Sequence, residues 1–140
     1  MTDLLFVYGT LRKNRQGEMH PLLQGQAEFL YPACMSGLLY EVDHYPAAIN
    51  CPANNNKLLH GELYRLHHPE QILQQLDEYE ECTSQFPEPW EYQRSQALIS
   101  ASTKPAAWAW VYLYNWSVQG LQAIPSGDYK KYVPTQRWVG

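Results

Sequence analysis

The chain has 140 residues, 45 % of them apolar and 14 % aromatic, and carries a net charge of −4. That length fits one domain spanning residues 1–140, able to bury a core without disulfide or metal staples, and the apolar share excludes a disordered chain. The densest basic cluster, Arg12, Lys13 and Arg15, is too short for a nucleic-acid footprint, and no apolar run approaches the roughly 20 residues of a membrane span.

Residues 4–8, Leu-Leu-Phe-Val-Tyr, are an apolar run of strand formers ended by Gly9, and read as a buried first strand entering a tight loop. Residues 12–26 are polar, hold two glycines and Pro21, and read as a loop with a short helix around 19–23. Strands are expected at 27–31 and 34–40. An extended piece is expected at 45–49, because the residue before Pro46 avoids the helical region. Residues 51–57, Cys-Pro-Ala-Asn-Asn-Asn-Lys, form a turn or surface loop. A strand follows at 58–66, with His60, Glu62, Tyr64 and Leu66 on one face and Leu59, Gly61, Leu63 and Arg65 on the other.

Residues 69–81 are the clearest helix. Pro69 suits the first helical position, and Ile72, Leu73, Leu76 and Tyr79 recur at helical spacing. Two prolines in 84–89 break the chain, and strands follow at 91–101 and 107–115. The remainder to residue 140 reads as irregular, with a short helical turn. Many short strands around one central helix predict an α+β domain on a curved or closed sheet, not a doubly wound parallel fold. The three cysteines, Cys34, Cys51 and Cys82, are odd in number and lack paired spacing. The first residues lack a signal peptide's pattern. A reducing cytoplasm is therefore the expected location.

Three constellations can carry chemistry. The first is Val7-Tyr8-Gly9-Thr10-Leu11-Arg12. A strand running into a glycine loop can aim several backbone N–H groups one way and so hold a carboxylate or an oxyanion. Gly9 permits unusual backbone angles there. The same residues also suit an ordinary tight turn beside a buried Tyr.

The second is the helix end, Leu76-Asp77-Glu78-Tyr79-Glu80-Glu81-Cys82. At about 100° per residue Glu80 falls on the side of Ile72, Leu73 and Leu76, whereas Asp77, Glu78 and Glu81 point away and can be solvated. A carboxylate on the core side, at the negative end of a helix dipole, gains affinity for a proton. A general base near neutral pH needs that. The alternatives are a structural ion pair or a frayed, wet helix end. The third is Tyr92-Gln93-Arg94, where Arg94 either pairs with an acid of the helix end or meets a substrate carboxylate; the plain ion pair is the commoner arrangement. His67 and His68 lack a partner at ligand spacing, and the glycines fit no nucleotide fingerprint, so neither metal nor nucleotide cofactor is expected.

Together these motifs resemble the gamma-glutamylcyclotransferase-like family. Residues 6–12 are similar to its Tyr-Gly-Ser/Thr-Leu loop after the first strand, and Gly61-Glu62-Leu63-Tyr64 to its Gly-Glu-Val/Leu-Tyr strand. Residues 76–80 are similar to the helix end with the catalytic Glu, Tyr92-Gln93-Arg94 to the Tyr-x-Arg strand, and Val111-Tyr112-Leu113-Tyr114 to the late strand. Glu80-Glu81-Cys82 and Tyr-Gln-Arg resemble the gamma-glutamylamine cyclotransferase, AIG2-like subgroup, and residues 124–129 resemble small bacterial members. The resemblance implies a mixed five- or six-stranded barrel with flanking helices and release of 5-oxoproline from a gamma-glutamyl compound. It implies Glu80 as acid and base, substrate held by Tyr8, Gly9, Thr10 and Leu11, with Arg94 beside them, and Tyr129 closing the pocket. The expected partner is a small gamma-glutamyl substrate, with neither nucleic acid nor membrane. Two other readings stand beside it: a non-catalytic small-ligand-binding module on the same fold, and an interaction protein using exposed rings such as Trp116 and Trp138.

Overall fold

The short apolar runs close a sheet on itself. The computed structural model describes residues 2–51 and 56–131. Strands β1 (Leu4–Val7), β2 (Ala27–Val42), β3 (Tyr45–Asn50) and β4 (Leu58–Leu66) precede helix α1 (Pro69–Tyr79). Strands β5 (Tyr92–Ala101), β6 (Lys104–Tyr114) and β7 (Gln122–Ala123) follow, then a 3-10 turn at Tyr129–Lys131. The hydrogen-bonded order β2-β4-β1-β6-β5 returns from β5 to β2 at Ser100 and Cys34, which closes a five-stranded barrel. β1 lies antiparallel to β4 and parallel to β6, so the barrel is mixed. β2 outruns the barrel, and its second half carries β3 and β7.

Alternation assigns the layers. Phe6, Ala33, Met35, Leu63, Ile99 and Val111 point inward and fill the barrel. Their neighbours Leu5, Val7, Tyr64, Leu66 and Tyr112 point outward and meet Ile72, Leu73 and Leu76 of α1. β1 is thus buried on both faces, which is why it reads as an unbroken apolar run. Among the described residues no helix is long and apolar enough to cross a membrane.

The structure departs from the sequence pattern at several points. Residues 27–31 and 34–40 belong to one strand that continues through Pro32. A register shift between Phe29 and Tyr31 sits beside the proline, and a bulge is where a strand tolerates the lost N–H. Residues 19–23 form turns, not a helix; the Leu23 and Gln24 N–H groups both donate to the His20 carbonyl and the chain then enters β2. β6 begins at Lys104, ahead of the expected 107, because Lys104 pairs with Ala101 across a two-residue hairpin loop. One α-helix, not several, flanks the barrel among the described residues. Most of the expected 51–57 loop and Trp138 lie outside the described residues.

β1 and β4 approach closely at Gly61. A Cβ there would sit 2.7 Å from Cζ of Phe6 and against the Val7 carbonyl oxygen. Neither neighbour can withdraw, one being backbone and the other packed in the barrel. Gly61→Ala should therefore cost about 1–3 kcal/mol of stability, read as a lower urea midpoint with an unchanged slope.

Candidate active site

The site begins where α1 stops. Glu80 is the helix C-cap, and its N–H donates to the Leu76 carbonyl at 2.8 Å. Glu81 N–H donates to Glu78 O (3.1 Å) and Cys82 N–H to Asp77 O (2.9 Å), the paired bonds of a Schellman turn. That turn needs a left-handed residue after the cap, and Glu81 takes the position at φ +60° although glycine fits it best. Such strain costs of order 1 kcal/mol, and it turns the chain sharply after Glu80. The helix therefore ends at Tyr79, short of the expected 81.

The second component is the loop after β1. Arg12 N–H donates to the Gly9 carbonyl at 3.0 Å, closing a tight turn. The N–H groups of Gly9, Thr10 and Leu11 have no hydrogen-bond partner among the described residues. All three residues line a cavity of about 500 Å³, together with Tyr8 and Glu80. Gly9 is required for a reason the sequence hides. Its φ is not left-handed; instead a Cβ would collide with the ring of Pro46. Tyr8 is fixed by donating its hydroxyl to the Tyr112 carbonyl at 2.6 Å.

The Glu80 carboxyl has no hydrogen-bond or ion-pair partner among the described residues. Burial, and then the charge of Glu91, raise its carboxyl from the ordinary 4.5 to about 7. Glu91 is itself raised by burial and by Asp43 and Glu81. Burial pushes the Tyr8 hydroxyl far up, and nearby Glu80 adds to it, so Tyr8 stays protonated. The cavity thus sets a half-buried carboxyl that titrates near neutrality beside three unpartnered N–H donors. An oxyanion or carboxylate can be held at the second and a proton exchanged at the first.

Two candidate residues fall elsewhere. Arg94 does not line the cavity; its Nε and guanidinium N–H groups grip Asp77 at 2.8 and 3.2 Å, and it lies 4.4 Å over Trp110. Asp77, expected to be solvated, also accepts from the Tyr112 hydroxyl at 2.7 Å. Tyr129 does not line the cavity either, and donates its hydroxyl to the His44 carbonyl at 2.8 Å. Glu91, and the assembly of Tyr45, Trp90, Tyr92 and Trp116 into one wall of the cavity, do not follow from the sequence pattern. These residues converge from three separate segments, so no local spacing marks them.

A closed mixed barrel, a glycine loop after its first strand and an acid with an unpartnered carboxyl at the helix end are of the γ-glutamylcyclotransferase type. The chain belongs to the gamma-glutamyl cyclotransferase, AIG2-like family, whose model matches residues 5–131. It is 35 % identical over 127 residues to the gamma-glutamylcyclotransferase family protein YtfP of Escherichia coli K12, covering 89 % of this chain and 94 % of that one. The solution structure of E. coli ytfP aligns with a TM-score of 0.62 at 32 % identity, covering 91 % of this chain and 96 % of the other. The crystal structure of an AIG2-like protein from Mus musculus shares the fold, with a TM-score of 0.57 at 24 % identity over 79 % of this chain and 76 % of that one.

The raised Glu80 carboxyl has a consequence for stability. A carboxyl that binds its proton more tightly in the folded chain favours folding while protonated; the contribution is full below pH 4.5 and lost as pH rises through about 7. Glu80→Gln carries no charge at any pH. The variant should therefore exceed the wild type by about 2–3 kcal/mol above pH 7, with the gap closing below pH 4.5, in urea unfolding measured across that range.

Proposed function

We propose that this protein releases 5-oxoproline from γ-glutamyl compounds by intramolecular cyclisation, with Glu80 as general acid and base. The observation that carries this reading is the unpaired Glu80 carboxyl, raised to about 7, in the cavity that the unpartnered Gly9, Thr10 and Leu11 N–H groups also line. Family membership supports the reaction type.

A γ-glutamyl substrate brings its own nucleophile, the free α-amine. Its nitrogen bonds to the side-chain carbonyl carbon and the bond from that carbon to the leaving nitrogen breaks. Of the three ammonium hydrogens, one stays on the lactam nitrogen and two pass to the leaving amine, each carried by Glu80. Folding the chain into a near-attack geometry is worth up to about 7–11 kcal/mol, so binding supplies most of the acceleration. Loop N–H groups hold the developing oxyanion or the α-carboxylate. The Tyr8 hydroxyl, kept neutral, offers a fixed polar wall beside the acid.

Release of 5-oxoproline from γ-glutamyl amino acids, γ-glutamylamines and glutathione tests this directly. Glu80→Gln should fold and lose a factor of about 10² or more in turnover. Near-normal turnover in a folded variant removes Glu80 from the mechanism. Saturable binding with no release from any compound favours a non-catalytic binding module. In the wild type, kcat/KM should fall as pH drops through about 7, because a protonated Glu80 cannot accept the ammonium proton.

A further inference from the structure

The cavity loop is fastened from outside the cavity. Arg12 follows directly on Leu11 but does not line the cavity. Its N–H closes the turn on the Gly9 carbonyl, and its side chain, 11 % exposed, runs between two acids. Nε stands 3.7 Å from Glu62, beyond hydrogen-bond reach, whereas a terminal N–H donates to Asp128 Oδ1 at 3.0 Å. That is the guanidinium's single hydrogen bond among the described residues, and its Nε is buried without one.

Asp128 is the fixed end of this pair. Its segment is seated on the barrel before it reaches Arg12. Ile124 is buried among the inward-facing side chains, and its N–H donates to the Leu39 carbonyl at 2.8 Å. The Gly127 carbonyl accepts the His60 N–H at 2.8 Å. Asp128 N–H then donates to Ser126 Oγ at 3.2 Å, and its Oδ1 accepts the Lys130 N–H at 3.1 Å. Burial by itself would raise the Asp128 carboxyl, but the hydrogen bond and charge of Arg12 carry it below the ordinary 3.8, so it meets Arg12 as an anion.

Resting on the cyclotransferase reading, we infer that Asp128 is a positioning residue for that reaction: through Arg12 it holds the turn at residues 9–12, and with it the Gly9, Thr10 and Leu11 N–H groups at the cavity wall. Without Asp128 an enclosed guanidinium loses its one hydrogen bond and must turn toward water. The N–H of the same residue closes the turn, so that movement is passed to the donors. Donors stabilise an oxyanion or a carboxylate only while they are held in place beforehand, and a displacement of about 1 Å at a reacting centre can cost up to about 10²-fold. A purely structural ion pair would instead cost stability and leave each folded molecule as active as before.

Asp128→Ala and Asp128→Asn are compared with the wild type by urea unfolding, by 15N order parameters of the Gly9, Thr10 and Leu11 amides, and by 5-oxoproline release per folded molecule. In Asp128→Ala the order parameters should fall from about 0.85 to below about 0.6, and kcat/KM by about tenfold or more. The Glu80 carboxyl should keep its midpoint, because burial and Glu91 raise it, not Asp128. Asp128→Asn keeps an acceptor for Arg12 and should recover most of both losses. Arg12→Gln breaks the same bond from the loop side, so it reports on the latch even if Asp128→Ala fails to fold; the double variant should be no worse than the poorer single one. Unchanged order parameters, or an unchanged kcat/KM in a variant that is merely less stable, overturn the inference. No release by the wild type contradicts the cyclotransferase reading instead, and the latch then stands or falls on the order parameters.

Discussion

The last turn of α1 is pinned to the barrel through one carboxylate. Asp77 takes a bidentate grip from Arg94 of β5 and a hydroxyl from Tyr112 of β6. These are charge-assisted bonds in a half-buried setting, about twice the strength of neutral ones and directional as well. Leu73 and Leu76 hold the preceding turns by area alone, which resists separation but permits sliding. The Asp77 clasp fixes the register along the helix axis. Glu80, three residues on, is thereby placed at the cavity, and the left-handed Glu81 carries the chain away at once. Tyr112 serves both sides of the site, since its carbonyl also receives the Tyr8 hydroxyl.

Two enclosed acids in this fold are treated in opposite ways. Glu62 is only 6 % exposed, yet it accepts the Lys13 N–H at 3.0 Å and the Tyr64 hydroxyl at 2.9 Å. Arg12 and Lys130 each stand 3.7 Å from it. It ties the cavity loop and the 3-10 turn to β4. Glu80 is given no such partners. Desolvation without compensation raises its affinity for a proton to near neutrality. The satisfied cluster around Glu62 and the clasp at Asp77 hold rigid the frame in which that uncompensated group sits.

Much of this was legible in the residues. The central helix and the inward aim of Glu80 follow from a periodicity of three to four residues, and the strand at 58–66 from alternation every two, because each depends only on near neighbours in the chain. The hidden parts depend on distant segments. Gly9 looked like a residue chosen for its backbone angles, whereas its role is to admit Pro46 from β3. Asp77 lies off the apolar stripe and read as solvated, yet the partners that bury it come from β5 and β6. Arg94 had two acceptable partners by spacing, and only the packed helix end chose between them. The strands expected at 27–31 and 34–40 are one, because a bulge beside Pro32, set by the pairing with β4, carries the chain through it. Glu91 and the rings around the mouth carry no periodic signature at all.

The chemistry of the cavity turns on the protonation state of one side chain, Glu80. Carbon-13 NMR of the labelled Glu80 carboxyl, assigned by its disappearance in Glu80→Gln, reports its titration in the free protein. A midpoint near 7, moving lower in Glu91→Gln, is the result expected of a carboxyl raised by burial and a like charge. A midpoint near the ordinary 4.5, unmoved by that change, would contradict it and leave Glu80 a solvated acid with no special claim on a proton.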